Sequence, residues 1–254
     1  MIAISKSSVV PQTLLPANTI GKIDVLEAKL KAGEELKSKD FDSSVYGADD
    51  VREQLKLDQH GKCAYCESSL LAINGGEVEH YRPKTTYREG FNGTAKRPAY
   101  YRLAYEWTNL LAVCPTCNKN KDSYFPLVNP NQRDITGQQT NQETALIINP
   151  CYTNPDNHLE YRAFKLYPKT NAEGTEDIFG RATIDYLKLN RSDLVELRRR
   201  VWMLFIKNMT EENLTYDECL AKLSNRMQSI GCTIEDVDYL DMYYNQTLRA
   251  IFIS

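Results

Sequence analysis

The spacing of hydrophobic residues near the N-terminus predicts two helices separated by a polar stretch. Apolar residues three and four apart over residues 19–32 share one side of a helix. Residues 48–60 ("ADDVREQLKLDQH") begin with acidic side chains, which favour a helix N-terminus, and are followed by Gly61, as expected just past a helix. The flanking residues 1–16 and 34–47 are predicted to be an irregular arm and a loop.

The middle of the chain has a different pattern. Residues 75–81 and 109–113 ("NLLAV") are strand-like. Residues 85–102 are rich in polar and aromatic residues, and residues 126–160 are rich in proline, asparagine and glutamine. Both segments are predicted to be long loops. A short helix is expected just after Cys117, over "NKNKDSY".

The last third of the chain is predicted to be helical. One helix starts at Ser192, and the arginines at 198–200 are expected on a solvated or partner-facing side of it. Thr215 and Glu218 have the spacing of a capping box, in which the two residues cap each other's backbone. Thr233 is predicted to start a further helix.

Charge is unevenly distributed along the chain. The 254 residues carry a formal net charge of −3, which argues against a free-standing binder of bulk nucleic acid. Residues 79–125 hold eight Lys/Arg against four Asp/Glu, whereas residues 208–254 hold three against eight. The basic middle and the acidic C-terminal part are therefore expected to meet different partners.

Membrane association is not expected. No run of about 18 apolar residues is present in the sequence. The N-terminal residues lack a sustained apolar stretch and a small-residue cleavage site, so we expect a cytoplasmic protein.

Two of the cysteine spacings indicate a metal site. Of seven cysteines, four form the pairs "CAYC" (Cys63, Cys66) and "CPTC" (Cys114, Cys117). Thiolates bind Zn²⁺ tetrahedrally, and a two-residue gap lets both sulfurs of a pair reach one ion. One structural four-cysteine zinc site is therefore predicted, with a redox dithiol or coincidence as the alternatives. The remaining cysteines are expected to be small buried residues: Cys151, Cys219 and Cys232.

Between the cysteine pairs lies a set of residues suited to phosphodiester hydrolysis. Glu79 and His80 precede Asn109, and Asn118 follows the second pair directly. Histidine titrates near neutral pH and suits the role of general base. Neighbouring residues in a strand point to opposite faces, so the strand must end or distort at His80 if both residues serve one phosphate.

This order resembles the HNH nuclease family in its zinc-knuckle form. The resemblance implies an α+β fold with a ββα-metal, treble-clef-like core and a structural four-cysteine zinc site, flanked by N- and C-terminal helices. It implies an N-terminal arm with helices over residues 1–60, a nuclease core over 61–125, and a loop-rich connection with a helical region over 126–254.

The resemblance also implies roles for the residues between the cysteine pairs. His80 would be the general base, Glu79 and Asn118 would hold a divalent cation, and Asn109 would brace the loop. Asn118 stands where the family name has its last histidine, which favours Mg²⁺ or Mn²⁺ at the catalytic site. Arg82 and Lys121 would contact phosphate.

Longer phrases narrow the resemblance. "HGKCAYCESSLL", "VEHYRPK", "WTNLLAVCPTCNKNKDSYFPL", "IINPCYTNPDNHLEY" and "YLKLNRSDLVELR" look like the HNH subunit of Septu-type and retron-associated anti-phage defence systems. Such a subunit implies a nucleic acid substrate and an ABC/SMC-like ATPase partner. In retron versions it also implies a reverse transcriptase with its DNA–RNA product.

Two alternatives remain open from the sequence. A zinc-stabilised adapter could bind nucleic acid or the ATPase without cutting, although it would need neither a base nor a second metal site. The substrate could be RNA rather than the favoured DNA. Four aromatic residues of the central loop could stack on unpaired bases: Tyr87, Phe91, Tyr100 and Tyr101.

Overall fold

A computed structural model describes residues 1–70 and 76–200, together with Met203, Thr215 and Glu218. The α-helices are α1 (Pro16–Lys31), α2 (Ser43–Tyr46), α3 (Asp49–Asp58), α4 (Pro115–Lys121) and α5 (Ile178–Leu187). The strands are β1 (Glu77–His80), β2 (Leu110–Val113), β3 (Leu159–Arg162) and β4 (Lys165–Pro168). The chain divides into two compact units, one of residues 1–155 and 185–187 and the other of 156–184 and 188–254.

The two N-terminal helices were predicted, but the segment between them was wrongly predicted to be a loop. It contains the short helix α2, capped by Asp42, whose carboxylate accepts a hydrogen bond from Ser44 N at 3.0 Å. Leu36, Phe41 and Val45 of this segment are buried. These buried side chains give the segment apolar contacts. The many charged residues beside them in the sequence had favoured the prediction of a loop.

The central strands form where they were predicted. β1 and β2 pair antiparallel, with His80 opposite Leu110 and Glu77 opposite Val113. All four residues of β2 are buried. Helix α4 follows β2 after Cys114, and begins with Pro115 at its first position, where a missing N–H costs nothing.

The second unit contains a β-hairpin that the sequence did not predict. β3 and β4 pair antiparallel around a two-residue turn at Ala163 and Phe164. Ala163 has φ 53°, a conformation usually taken by glycine or asparagine, so the turn lacked its usual sequence signal. In the same unit His158 Nδ1 lies 2.9 Å from Asp177 Oδ2.

The C-terminal region is described in part. Residues 192–200 are helical, as predicted. Arg198 is not solvated as expected, because it is buried and donates to Leu189 O at 2.7 Å. Thr215 and Glu218 form the predicted capping box, each accepting the other's backbone N–H. The predicted helix at Thr233, together with Cys219 and Cys232, lies outside the described residues.

Membrane-spanning segments were searched for in the described part of the chain. Within it, no helix is both long enough and apolar enough to cross a bilayer.

Candidate functional site

The four paired cysteines come together in one buried cluster. The sulfurs of Cys63, Cys66, Cys114 and Cys117 all lie within 4.8 Å of one another. Cys66 Sγ and Cys114 Sγ are 3.7 Å apart. Two ligands about 2.3 Å from a tetrahedral ion are themselves roughly 3.8 Å apart. The predicted gathering of the cysteines is confirmed, and the cluster has the donor set and spacing that fit a structural Zn²⁺.

Local backbone geometry holds the second cysteine pair in this cluster. Cys114 is the N-cap of α4, and its sulfur accepts a hydrogen bond from Cys117 N at 3.4 Å. The side-chain hydrogen bond from Cys117 lowers the pKa of Cys114 to about 7, with a further contribution from Cys63. At Cys114 this favours the thiolate, which is the form that binds metal.

A glutamine ties the first cysteine pair to the sheet. Gln59 Nε2 donates to Ala112 O at 2.7 Å and to Lys62 O at 2.8 Å, while its Oε1 accepts from Ala112 N at 2.8 Å. The Gln59 amide thus takes the place of a neighbouring strand at one residue of β2. Ala64 N also donates to Ala112 O, at 3.0 Å. Sequence reasoning did not single out Gln59.

One face of β1 is turned towards α4. Asn118 Nδ2 donates to Glu77 Oε2 at 2.5 Å, and Lys121 Nζ lies 2.6 Å from Glu79 Oε1. Lys121 is fully buried and also donates to His80 O at 3.1 Å. Burial raises the pKa of Glu79, and the Lys121 charge partly opposes this rise.

Glu77, Glu79 and Asn118 carry oxygen atoms of the kind that a hard divalent cation takes. Glu77 and Glu79 are two apart on β1 and so share a face of the strand, and Asn118 contacts that face from α4. Two carboxylates and an amide oxygen fit Mg²⁺ or Mn²⁺ better than a soft metal. Glu79 and Asn118 are the ligands that the sequence analysis predicted for this cation, and it did not consider Glu77.

His80, the last residue of β1, makes its contacts with other elements. Its Nε2 is 2.9 Å from Ala104 O, and its Nδ1 is 3.2 Å from Lys84 Nζ. The Tyr46 ring packs edge-on against the imidazole, with 4.7 Å between the centroids. Burial, followed by the Lys84 charge, holds the pKa of His80 well below its usual range, so the ring is neutral at pH 7.

Asn109 joins the chain after β1 to the segment that contacts His80. Its Oδ1 accepts from Arg82 N at 2.8 Å, and its Nδ2 donates to Arg82 O at 3.0 Å and to Leu103 O at 3.1 Å. Leu103 directly precedes Ala104, whose carbonyl holds the His80 ring. The side chain therefore fixes both segments relative to each other.

Arg82 and Lys121, the predicted phosphate ligands, each hold a carboxylate. Arg82 Nε is 3.0 Å from Glu143 Oε2, as Lys121 Nζ is close to Glu79. Glu143 also accepts from Tyr100 OH at 2.9 Å and from the backbone of Asp134 at 2.6 Å. Neither of these basic side chains is therefore free on the protein surface. Glu143 is a further residue that the sequence analysis did not identify.

The four aromatic residues considered for base stacking differ in exposure. Tyr100 and Tyr101 are buried, and Tyr87 lies beneath Arg133, whose guanidinium is 4.1 Å from the ring centre. Phe91 is 54% exposed and stacks on Tyr186 with 4.4 Å between the centroids. Of this predicted set, Phe91 is therefore the residue with a largely open ring.

The chain is similar to Septu proteins and to a retron protein. It is 29% identical to the Retron Ec83 putative HNH endonuclease of Escherichia coli over 195 residues, which cover 65% of this chain and 69% of that protein. It is 36% identical to Septu protein PtuB of Bacillus mycoides (strain KBAB4) over 163 residues, which cover 63% of this chain and 54% of that protein. No protein-family model matches the chain.

These similarities confirm the resemblance to HNH proteins that the sequence motifs predicted. Within that class the chain resembles the PtuB type. It is also 30% identical to Septu protein PtuA of the same Bacillus strain over 149 residues, or 58% of this chain and 20% of that protein. The matched part thus spans about half of PtuB and a fifth of PtuA.

Proposed function

We propose that the chain is a metal-dependent HNH endonuclease that hydrolyses phosphodiester bonds of nucleic acid. The observation that carries this proposal is the state of His80 at the end of β1. The Ala104 carbonyl accepts from Nε2, so the neutral ring presents Nδ1 as a proton acceptor. The similarity to the Retron Ec83 putative HNH endonuclease supports the same reaction class.

His80 is the general base in this reaction. Its Nδ1 takes a proton from water while the water oxygen forms a bond to phosphorus, and the bond from phosphorus to the leaving oxygen breaks. The leaving oxygen takes its proton from solvent. Asn109 keeps the Ala104 carbonyl in place and so keeps the ring oriented.

Glu79 and Asn118, with Glu77 beside them, would hold Mg²⁺ or Mn²⁺. When bound, the cation supplies Lewis-acid stabilisation of the negative charge that develops on the leaving oxygen. Arg82 and Lys121 remain predicted phosphate contacts, for which a phosphate must compete with Glu143 and Glu79.

The four cysteines would hold a structural Zn²⁺ that does no chemistry itself. A closed four-thiolate site leaves no open coordination position. Its effect is to fix the first cysteine pair and α4 next to each other, and thereby to fix the ββα nuclease core that we place at residues 61–125. Residues 1–60 and 126–254 would serve as flanking regions and docking surfaces.

We further propose that the nuclease is the effector of an anti-phage defence complex in the cytoplasm. The similarity to PtuB supports this assignment. A PtuA-like ABC/SMC-type ATPase is the proposed partner, and a segment similar to this chain within PtuA supports a close relation between the two. DNA is the favoured substrate and RNA the alternative, and a retron reverse transcriptase with its DNA–RNA product is a further proposed partner.

Cleavage of labelled DNA and of tRNA-sized RNA tests the proposal. Wild type and His80→Ala are compared with Mg²⁺ or Mn²⁺, each with and without the ATPase. We expect cleavage by wild type that the substitution abolishes, and the substrate that is cut decides between DNA and RNA. Absence of cleavage in every arm, from protein that retains one zinc, would support the non-catalytic adapter instead.

A further inference from the structure

A lysine ammonium is hydrogen-bonded to the His80 ring nitrogen that the proposed reaction needs. Lys84 Nζ lies 3.2 Å from His80 Nδ1. Because the Ala104 carbonyl can only accept, the ring proton is on Nε2 and Nδ1 presents a lone pair. An ammonium has donors alone, so Lys84 donates to Nδ1. In this arrangement Nδ1 has no free lone pair for the proton of a water molecule.

The charge of Lys84 is not neutralised like those of its basic neighbours. Arg82 is 3.0 Å from Glu143, and Lys121 is 2.6 Å from Glu79. Lys84 makes no ion pair within 4.0 Å among residues 1–70 and 76–200. Its Nζ instead faces two aromatic rings, with the Tyr46 centroid at 4.7 Å and the Phe41 centroid at 5.8 Å. Of these three basic residues, Lys84 is therefore the one whose charge is available to bind an anion.

Lys84 is also more accessible to solvent than the ring that it contacts. His80 is 4% exposed, whereas Lys84 and Tyr46 are both partly exposed. The Tyr46 ring and the Lys84 ammonium both contact the imidazole. Part of the Lys84 side chain is therefore open to solvent, whereas the imidazole is buried.

We propose that the Lys84 ammonium binds the scissile phosphate. When substrate binds, this ammonium donates its hydrogen bond to a phosphate oxygen instead of to His80 Nδ1, and the base is then free. This proposal rests on the proposed nuclease function. A hydrogen bond between two charged groups is stronger than one from the same ammonium to a neutral ring, so phosphate favours the transfer. In the free protein the base is blocked, and substrate itself removes the block.

Nitrogen NMR of the histidine rings tests the transfer directly. The chain has three histidines, so the His80 signals can be assigned with a His80→Ala reference. A ten-nucleotide DNA is added at fixed pH, without added Mg²⁺ or Mn²⁺ so that it is not cut. In wild type, we expect the DNA to move the chemical shift of His80 Nδ1 towards the value of a nitrogen that accepts no hydrogen bond from lysine.

Three variants sharpen this measurement. In Lys84→Met the Nδ1 signal is expected at the freed position already without DNA, and DNA should not move it further. Lys84→Arg keeps the charge and the donors and should respond as wild type does. Lys96→Met removes an exposed lysine from the same basic region and should also behave as wild type. If Lys84→Met differs from wild type in zinc content or circular dichroism, Lys84→Leu, which likewise has no donor for Nδ1, replaces it.

Cleavage provides the second readout. We expect Lys84→Met to raise KM for DNA by roughly ten- to 100-fold, the usual effect of losing a charged hydrogen bond, and Lys96→Met to leave it unchanged. An Nδ1 signal that is the same in wild type and Lys84→Met, or that DNA shifts equally in both, would overturn the proposal. If the NMR results are as expected but no form of the protein cleaves, the nuclease proposal fails and the phosphate-driven transfer stands.

Discussion

The cysteine cluster and the surroundings of His80 are built in opposite ways. The cluster consists of four identical ligands from two short motifs, within 4.8 Å of one another. The His80 ring is held by single groups from separate segments of the chain: Tyr46, Lys84 and Ala104. The first site is therefore complete once two short motifs meet, whereas the second exists only when several loops are in place.

This difference predicts that the two sites contribute differently to stability and to activity. The cluster should control whether this part of the chain folds, because structural zinc contributes folding free energy directly. The His80 site should tolerate loss of its reactive group with little change in fold. Substitutions can therefore separate the two contributions.

The largest expected effect on stability comes from the cluster. Cys63→Ser should abolish zinc binding and cooperative unfolding, because a structural zinc site contributes about 10 kcal/mol or more, which is as large as the stability of a typical domain. Zinc content by mass spectrometry and thermal unfolding by circular dichroism check this. Cys151→Ser, outside the cluster, is the matched control and should retain zinc. A folded, zinc-free Cys63→Ser protein would contradict the role given to the cluster.

A smaller loss is expected at the loop network that holds Arg82. Glu143→Gln leaves the Arg82 guanidinium without its carboxylate partner, 3.0 Å away in the native protein. Removing one partner of a buried ion pair should lower the free energy of unfolding by about 3 kcal/mol. The melting temperature should fall by roughly 6–12 °C.

The control for Glu143→Gln is Glu176→Gln, which removes an exposed pair with Arg181. Exposed ion pairs contribute little, so this variant should melt as wild type does. Equal melting temperatures for all three proteins would show that the buried network does not stabilise the loops around the site.

Asn109→Asp should cost somewhat less and should affect activity as well. The new carboxylate would face Arg82 O and Leu103 O, which now accept hydrogen bonds at 3.0 and 3.1 Å. We expect a loss of about 2 kcal/mol in unfolding free energy, measured by urea denaturation, and slower cleavage. Asn129→Asp is the control. The Asn129 side chain accepts a hydrogen bond from Asn131 N, which a carboxylate can also accept, so this variant should unfold as wild type does. A wild-type denaturation curve for Asn109→Asp would contradict the bracing role.

The sequence was sufficient to predict elements whose signals are local. The cysteine pairs, β1, β2 and α3 all depend on residues within a few positions of one another, and they form where they were expected. Even α3 differs in detail, since His60 with φ 51° rather than Gly61 takes the first left-handed position after the helix. Local patterns thus predicted the element better than its exact end.

The residues that sequence reasoning missed act over long separations in the chain. Gln59 bonds Ala112, Glu143 bonds Arg82, and Tyr46 contacts His80. No periodicity or motif spacing links residues so far apart. Glu77 and Lys84 did carry a signal, since one shares a strand face with Glu79 and the other is four residues from His80, but basic and acidic residues at such positions are usually just solvated.

The most direct test of the central claim is chemical rescue of His80→Ala. Cleavage of labelled DNA is measured with Mn²⁺ for wild type and for the variant, over a series of imidazole concentrations, after zinc content and melting temperature have been matched. We expect the variant to cleave about 100-fold or more slowly and to recover activity in proportion to imidazole, because the small base takes over the role of the missing ring. Cleavage by His80→Ala at the wild-type rate without imidazole would contradict the account.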